Sequence, residues 1–305
     1  MNYKLDLETL ALRSKLLKQV RDFFYSRDFL EVNTPALVPL PSLEPHLIHY
    51  PVQIEDSEKA YLISSPEFSH KKILSTGAQR IFEIAHCFRA DERGEWHSRE
   101  FLMLEWYVRS FTLADLLKQC EDFLRELLPE ENQYSLITME EWFHRNYGHG
   151  YARCDLESSL VNKGVENVSS MNYDELFFRL FLPTESSLVN LGVVFLTHYP
   201  EELRSYAKVI DGKAARFEVY IHGVEVGNAY EEEKDPETLR GILENERSER
   251  RAMARDPLAI DEDFLGALSQ IPEPISGIAM GLDRIMALVR GDHNLCSISP
   301  FPQRS

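Results

Sequence analysis

Two glutamates in the segment 215–230 are spaced so that they could share a metal ion. A two-residue turn at His222-Gly223 would make this segment a β-hairpin and place Glu225 opposite Tyr220. Glu218 and Glu225 then lie on one face as diagonal neighbours, where two carboxylates repel unless a cation lies between them. Oxygen ligands of this kind suit Mg²⁺, which usually also contacts substrate phosphates. The same spacing equally fits two exposed glutamates on a solvated sheet face.

The second strand of this hairpin carries two further polar candidates. If the strand is regular, Gly227 lies opposite Glu218, and Asn228 and Glu232 fall on the face away from the glutamate pair. Gly227 is a candidate β-bulge, which would re-aim both side chains.

Two arginines far apart in the chain could bind a nucleotide. A guanidinium presents a planar fork of donors that matches phosphate oxygens and can also stack on a ring. Arg89 lies on a predicted strand, Arg284 at a predicted helix start, and Phe101 on the strand that follows Arg89. Each also has an ordinary interpretation: a salt-bridged surface arginine, a helix contact and a core phenylalanine. The joint occurrence of the three favours the nucleotide interpretation.

Hydrophobic periodicity and capping signals predict the elements that must position these residues. An amphipathic helix is predicted over 8–27, and a short strand over 29–37 that ends at Pro35. The other predicted elements are a strand and then a helix opening at 64–67, strands at 81–90 and 100–108, helices starting near Thr112 and Thr138, a mostly helical segment 150–185, strands within 191–230, a helix from Pro236 to about Arg255, and strand 275–281 running into a helix from Leu282.

The strands neighbour one another in sequence instead of alternating strictly with helices. This order predicts an α+β fold with a mainly antiparallel sheet flanked by helices. Neither GxxxxGK[ST] nor GxGxxG occurs, so an ATP site here must be of another kind.

Composition narrows the class of protein. The chain has 305 residues and a net charge of −17, which makes extensive tRNA binding unlikely because nucleic-acid affinity depends on basic contacts to phosphate. Its four cysteines show no CxxC spacing, and no apolar run approaches the roughly 18 residues of a membrane span. The N-terminus is amphipathic and not a signal peptide. We therefore expect a cytoplasmic protein with reduced cysteines and no membrane partner.

Three segments resemble the conserved motifs of class II aminoacyl-tRNA synthetases, specifically the lysine-specific branch, over nearly the whole chain. FLEVNTPAL at 29–37 is similar to motif 1, which forms the dimer interface in that family. The hairpin 81–107, with FRADE and HSREFLMLEWY, resembles motif 2, and GIAMGLDR at 277–284 resembles motif 3. The resemblance implies a class II catalytic fold over residues 1–305 as a single domain, a homodimer, and a ligase that converts a carboxylate and ATP into an acyl-adenylate.

The resemblance also implies roles for individual residues. Arg89 and Arg284 would grip the triphosphate, and the purine would lie between Phe101 and Arg284. The ATP contacts would include Asp91, Ser98, Val226, Asn228 and Gly281, the Mg²⁺ ligands would be Glu218 and Glu225, and the amino acid would be held by Ser65, Pro66, Glu67, Tyr107 and Glu232. Glu232 is the expected partner of the substrate's distal ammonium, since a buried ammonium needs a paired carboxylate.

Two features favour the truncated branch of this family, the elongation factor P–(R)-β-lysine ligases. The match begins almost at Met1, which leaves no room for an anticodon-binding barrel, and Ala279 in motif 3 is typical of that branch. The expected substrate is (R)-β-lysine or lysine, and the expected acceptor is a lysine of elongation factor P. Two alternatives stay open: an enzyme that aminoacylates tRNA or a small amine, and a non-catalytic paralogue with a binding or regulatory role, which Ala90, Asp91 and Ser98 would suit.

Overall fold

The computed structural model describes residues 7–54 and 59–299 of the chain. By its contacts the chain divides into two compact units, Met1–Leu128 with Glu232–Ser305, and Pro129–Glu231. We call these the first and the second unit and describe each by itself.

Helices and strands alternate irregularly along the described residues. The α-helices are α1 (Leu7–Tyr25), α2 (Glu67–Leu74), α3 (Leu113–Leu127), α4 (Met139–Tyr147), α5 (Arg153–Asn162), α6 (Tyr173–Phe181), α7 (Pro236–Ala252), α8 (Glu262–Ser269) and α9 (Leu282–Arg290). The strands are β1 (Leu30–Glu31), β2 (Leu37–Val38), β3 (Pro51–Gln53), β4 (Lys59–Leu62), β5 (Arg80–Phe88), β6 (Glu100–Arg109), β7 (Tyr134–Thr138), β8 (Val193–Pro200), β9 (Val209–Ile210), β10 (Lys213–Ile221), β11 (Val224–Glu231) and β12 (Ile275–Gly281). Short 3₁₀ segments cover Val168–Ser170, Leu182–Leu191, Glu201–Leu203 and Leu295–Ser297.

The first unit is built on a sheet with the strand order β1-β5-β6-β12. β5 pairs with β6 and β6 pairs with β12 in antiparallel fashion, whereas the two-residue β1 pairs with β5 in parallel. The other strands of this unit form a small antiparallel sheet with the order β2-β4-β3. The two long β5 and β6 strands form the predicted hairpin, and their register places Glu83 directly opposite Glu105.

Helix α1 covers this sheet with its apolar face. Leu16, Val20 and Phe23 are buried, and the neighbouring Phe24 ring stacks on Phe82 of β5 with 4.6 Å between the ring centroids. Burial of aliphatic and aromatic side chains at helical spacing is the main stabilising contribution of such a helix. The predicted helix over 8–27 is therefore confirmed.

The second unit has a sheet with the strand order β11-β10-β8-β7, and β9 adds to β10. Only the β7–β8 pair is parallel. Helix α4 begins at a complete capping box, in which Thr138 and Glu141 each bond the other's backbone N–H. The same device starts α3 at Thr112 and Asp115 in the first unit, so both predicted helix starts are confirmed.

The hairpin β10–β11 turns where the sequence predicts, but its register departs from the prediction. His222 (φ 49°) and Gly223 (φ 78°) are both left-handed, as a tight hairpin turn requires. Glu225 faces Tyr220 as predicted, but Gly227 faces Val219 and Asn228 faces Glu218. The extra residue is thus Val226 and not Gly227. The bulge brings Asn228 onto the face of Glu218.

One other predicted element was wrong in extent. The strand over 29–37 breaks into β1 and β2, because Thr34 donates both its backbone N–H and its hydroxyl to the Glu83 carboxylate (2.9 Å each). A backbone N–H that bonds a side chain cannot also serve a β-ladder. Sequence analysis also did not predict β7 and α8.

Candidate active site

The hairpin β5–β6 presents Arg89 beside Phe101. The backbone N–H of Arg89 donates to the carbonyl oxygen of Arg99 (3.0 Å), and its guanidinium carbon lies 5.1 Å from the centre of the Phe101 ring. Nη1 of Arg89 contacts Glu92 at 3.2 Å, whereas Nε is buried and has no hydrogen-bond acceptor among the described residues. A buried guanidinium donor without an acceptor is unusual in a folded protein, and it offers a contact to an anionic ligand.

Arg284 reaches the same loop from the start of α9. Its Nε donates to the carbonyl oxygen of Trp96 (3.0 Å). Desolvation lowers the pKa of the neighbouring His97, Glu92 opposes that effect, and the positive charges of Arg284 and Arg89 both lower it further. The two arginines are therefore close enough to act on one imidazole, although 195 positions separate them in the sequence.

The remaining nucleotide candidates of the first unit differ in their solvent exposure and in their position relative to the arginines. Asp91 is exposed, and the carboxylate that meets Arg89 and His97 is that of Glu92, which sequence analysis did not propose. Ser98 lies partly buried on the loop ahead of β6, and Gly281 ends β12 immediately before α9.

The amino-acid candidates lie around the N-terminus of α2. Ser65 accepts a hydrogen bond from the backbone N–H of Glu67 (3.1 Å), and its hydroxyl donates to Oε2 of Glu105 (2.8 Å). Pro66 occupies the position before the first helical residue. The sequence Ser-Pro-Glu thus starts the helix, and its serine bonds a second, fully buried carboxylate.

Glu105 is this second carboxylate, and it precedes Tyr107 by two positions on β6. The alternation of a strand puts both side chains on one face, and the Tyr107 hydroxyl donates to Oε1 of Glu105 (2.7 Å). Burial raises the pKa of Glu105 to about 7, an effect that His70 opposes and Glu67 reinforces. Gly277 is opposite Tyr107 on β12, and a Cβ there would lie 2.1 Å from the Tyr107 ring. Only glycine lets the ring lie in this position.

A lysine fills the space between the acids. Nζ of Lys71 lies 2.5 Å from Oε1 of Glu67 and 2.6 Å from Oε2 of Glu232, and the Lys71 and Glu232 side chains are both 0% exposed. Burial lowers the pKa of Lys71, but the two carboxylates outweigh burial and raise it. Burial also raises the pKa of Glu232 to about 8, although Lys71 acts in the opposite direction. Oε1 of Glu232 receives no hydrogen bond from any described residue.

A second layer of hydrogen bonds supports this acid pocket, which we define as Glu67, Lys71, Glu105, Tyr107 and Glu232. His70 is fully buried behind it, with Nε2 2.8 Å from Oε2 of Glu83 and Nδ1 3.9 Å from Oε1 of Glu105. Glu83 in turn accepts the two Thr34 hydrogen bonds. Hydrogen bonds therefore connect His70 through Glu83 to Thr34, whereas His70 and Glu105 interact only electrostatically, at 3.9 Å.

The candidate metal ligands belong to the second unit. Glu218 lies in a cluster on one face of β10 and β11: Oε1 accepts from Arg216 (2.5 Å), and Oε2 accepts from the hydroxyls of Tyr199 (2.5 Å) and Tyr220 (2.9 Å). Arg216 also reaches the side-chain oxygen of Asn228 at 3.3 Å.

Glu225 shares this face, as predicted, since it is directly opposite Tyr220. No group of three or more His, Cys, Asp or Glu side chains arranged to hold a metal occurs among residues 7–54 and 59–299. Two carboxylates are nevertheless the donor type with which Mg²⁺ binds when phosphates complete its coordination, and hydrogen bonds orient that of Glu218. Val226, the bulge residue, is buried.

Besides Glu92, four residues of the acid pocket and its surroundings were missed from the sequence: Lys71, His70, Glu83 and Glu105. Two of them carried a usable signal. Glu105 shares the strand face of Tyr107, and Lys71 follows Glu67 by four positions, the spacing of a helical ion pair. Glu83 and His70 carried none, since their partners come from other elements.

The chain belongs to the family described as tRNA synthetases class II (D, K and N), which matches residues 4–305. Among curated proteins it is 35% identical to one from Aquifex aeolicus over 288 residues, covering 92% of this chain and 95% of the relative; that protein is named elongation factor P–(R)-beta-lysine ligase homolog. The elongation factor P–(R)-beta-lysine ligase of Proteus mirabilis is 31% identical over 310 residues, covering 97% of this chain and 95% of the relative. The counterpart from Buchnera aphidicola is 30% identical over 315 residues, with the same shares.

The family membership confirms the predicted class of fold, and the relatives confirm the expected branch. Within each unit the sheet is mainly antiparallel and carries helices, as expected. No helix within the described ranges combines the length and apolar character needed to cross a membrane.

Proposed function

We propose that this chain is an ATP-dependent ligase that activates lysine or (R)-β-lysine and joins it to a lysine side chain of elongation factor P. The family supports the use of ATP with an amino acid, and the names of the relatives support the substrate and the acceptor. The net charge of −17 favours a protein acceptor over tRNA.

The observation that carries the proposal is the acid pocket. It places the Lys71 ammonium between the carboxylates of Glu67 and Glu232, and Oε1 of Glu232 is buried without a donor among the described residues. A buried carboxylate oxygen that lacks a partner is costly, and an ammonium group supplies both the charge and the hydrogen bond that it lacks. Lysine and β-lysine each bring two ammonium groups, so the pocket matches their chemistry.

The nucleotide half of the reaction uses the guanidinium groups near His97. Arg89 supplies an unpaired Nε. Arg284, in the first turn of α9, donates to the carbonyl oxygen of Trp96 on the loop that follows Arg89. We assign both to the triphosphate and Phe101 to the purine. Glu218 and Glu225 would hold Mg²⁺, which when bound neutralises charge on the phosphate oxygens.

The bond changes follow from these assignments. A carboxylate oxygen of the amino acid attacks the α-phosphorus, pyrophosphate leaves, and an acyl-adenylate forms. The amine of the acceptor lysine then attacks the acyl carbon, an amide bond forms, and AMP departs after the amine loses a proton. Positioning by Glu67, Tyr107 and Glu232, together with charge stabilisation by Arg89 and Arg284, accounts for catalysis without a covalent enzyme intermediate.

The remaining parts of the proposal are organisational. We propose that both units belong to one class II catalytic domain, because the family match runs through them without interruption. We further propose a homodimer formed through the segment 29–37, which resembles motif 1, and action in the cytoplasm, consistent with four free cysteines.

The test is a transfer assay with labelled substrate. Incubation with ATP, Mg²⁺ and labelled lysine or (R)-β-lysine should label purified elongation factor P and not a variant whose acceptor lysine is replaced by arginine. Labelling of total tRNA instead would replace this proposal with tRNA aminoacylation. Absence of amino-acid-dependent ATP–pyrophosphate exchange with every amino acid and β-lysine would leave a non-catalytic role.

A further inference from the structure

Lys71 is a completely buried cation inside a pocket to which we assign the binding of cations. Its ammonium group lies between Glu67 and Glu232 and 5.9 Å from the centre of the Tyr107 ring. It thus occupies one side of the carboxylate that would receive the distal ammonium of the substrate.

The charge of the pocket shows what Lys71 changes. With all groups ionised, the three carboxylates Glu67, Glu105 and Glu232 and the single ammonium of Lys71 leave two negative charges, which equals the two ammonium groups of a lysine-type substrate. Both carboxylate oxygens of Glu232 are buried without a hydrogen bond among the described residues, and Lys71 forms its ion pair with Oε2 at 2.6 Å, so we assign Oε1 to the ligand. Lys71 therefore fixes both the number of ligand charges that the pocket balances and the oxygen that receives one of them.

We propose that Lys71 is a positioning and specificity residue: its ammonium, held between Glu67 and Glu232, fixes both carboxylates in place and leaves Oε1 of Glu232 directed at a diammonium amino acid. This inference rests on the proposed function, because it assigns the pocket to that substrate.

The groups that face Lys71 and Glu232 come from every element packed around them. Helix α2 supplies Glu67 and His70, β6 supplies Glu105 and Tyr107, β5 supplies Glu83 behind His70, and α8 supplies the Phe264 ring at 5.7 Å from the Lys71 ammonium. Apart from His70, whose charge depends on its protonation, Lys71 is the cation among these groups. Its loss would push the pKa of Glu232 above its already raised value.

The test compares Lys71→Met with the matched control Lys72→Met. Lys72 is the next residue of α2 and its ammonium pairs with Asp261 at 2.5 Å, away from the acid pocket. In lysine-dependent pyrophosphate exchange, Lys71→Met should raise KM at pH 6.5 by roughly tenfold or more, because a protonated carboxylate binds an ammonium poorly and each pKa unit changes the ionised fraction about tenfold. At pH 9.5 the excess in KM over wild type should be clearly smaller, because Glu232 is then ionised in the wild type and ionises increasingly in the variant, while kcat changes little.

Lys71→Arg, which keeps the charge, should restore much of the wild-type pH profile, and Lys72→Met should match wild type at both pH values. A purely structural Lys71 would instead lower activity by the same factor at both pH values. That parallel loss would overturn the proposal while leaving the proposed function intact.

Thermal unfolding, which needs no ligand, tests the charge role of Lys71 separately from the proposed function. In the folded Lys71→Met variant, Glu232 stays protonated at pH values at which the unfolded chain has already released that proton, because the ordinary pKa of the Glu232 carboxyl group is 4.5. Stability is therefore lost as pH rises, and the deficit in Tm against wild type should widen between pH 6 and pH 9. The double variant Lys71→Met with Glu232→Gln should abolish this widening. A constant deficit would refute the charge role of Lys71, and a wild-type protein without lysine-dependent exchange would refute the proposed function and the substrate role together.

Discussion

The guanidinium of Arg89 lies 5.1 Å from the centre of the Phe101 ring, so the two side chains form a cation–π pair across the β5–β6 hairpin. Hairpin pairing holds both residues, since the backbone of Arg89 bonds that of Arg99. An arginine held over a ring keeps a fixed orientation, and its unpaired Nε then points a donor in a defined direction.

Replacing Arg89 with lysine should impair the activation step. The substitution keeps the charge but loses the planar fork and the stacking on Phe101. We expect kcat of pyrophosphate exchange to fall by roughly 10²-fold or more, the usual effect of removing one donor to a developing charge. Arg93→Lys, on the exposed part of the same loop, is the control. Equal activity of Arg89→Lys and wild type would remove Arg89 from the nucleotide site.

Replacing Glu232 with glutamine should weaken amino-acid binding and leave ATP binding unchanged. The side chain keeps its size, but the buried negative charge that would pair with an ammonium is lost. We expect the KM for lysine to rise by about 10² to 10³, in line with about 2–5 kcal/mol for a buried charge pair that loses one member. Glu233→Gln changes the adjacent residue, whose Oε1 accepts backbone N–H bonds, and should have little effect. A similar KM in both variants would contradict the assignment of Glu232.

Affinity for lysine should depend on pH near neutrality. Burial raises the pKa of Glu105 to about 7 and that of Glu232 to about 8. Below these values the carboxylates bind protons instead of ammonium groups, so KM should rise as pH falls from 8 to 6. Calorimetric titration with lysine at pH 7, repeated in buffers of different ionisation enthalpy, should show that protons are released on binding. A flat KM and no proton release would mean that both acids are already ionised.

Gly277→Ala should damage the pocket through Tyr107. The added Cβ would lie 2.1 Å from the ring, so the ring or β12 must shift. Overpacking of this kind typically costs about 1–3 kcal/mol of stability. Gly241→Ala, in α7, meets no atom within 4 Å and should stabilise the protein by about 0.5–1 kcal/mol. Thermal unfolding of both variants checks this, and an unchanged Tm for Gly277→Ala would show that the ring can move freely.

Glu225→Gln should raise the Mg²⁺ concentration required for half-maximal exchange. Loss of one anionic oxygen ligand weakens binding of a hard cation, and we expect a shift of roughly tenfold. Glu202→Gln, exposed elsewhere in the second unit, controls for the change in net charge. An unaltered Mg²⁺ titration would exclude Glu225 as a ligand.

The sequence predicted those features of the fold that depend on residues a few positions apart. The capping boxes at Thr112 and Thr138 and the turn at His222-Gly223 follow from side chains a few positions apart, and all three are confirmed. The break at Thr34 was not predictable in this way, because its partner Glu83 lies 49 positions away.

The same distinction applies to the site. The resemblance named Glu67 and Glu232, and the spacing of Glu67 and Lys71 fits a helical ion pair, but nothing in the sequence indicated that Lys71 also contacts Glu232, 161 positions away. The bulge at Val226 was placed one residue late, because glycine is only a statistical sign of a bulge and the pairing with β10 decides it.

Glu83 connects the segment around Thr34 to the wall of the amino-acid pocket through His70. If two chains associate through that segment, self-association and lysine binding act on the same set of linked polar contacts. Thermodynamic linkage then makes the effect mutual: a ligand that tightens the dimer must itself bind more tightly to the dimer than to the single chain. Dilution alone would in that case alter the affinity for the amino acid.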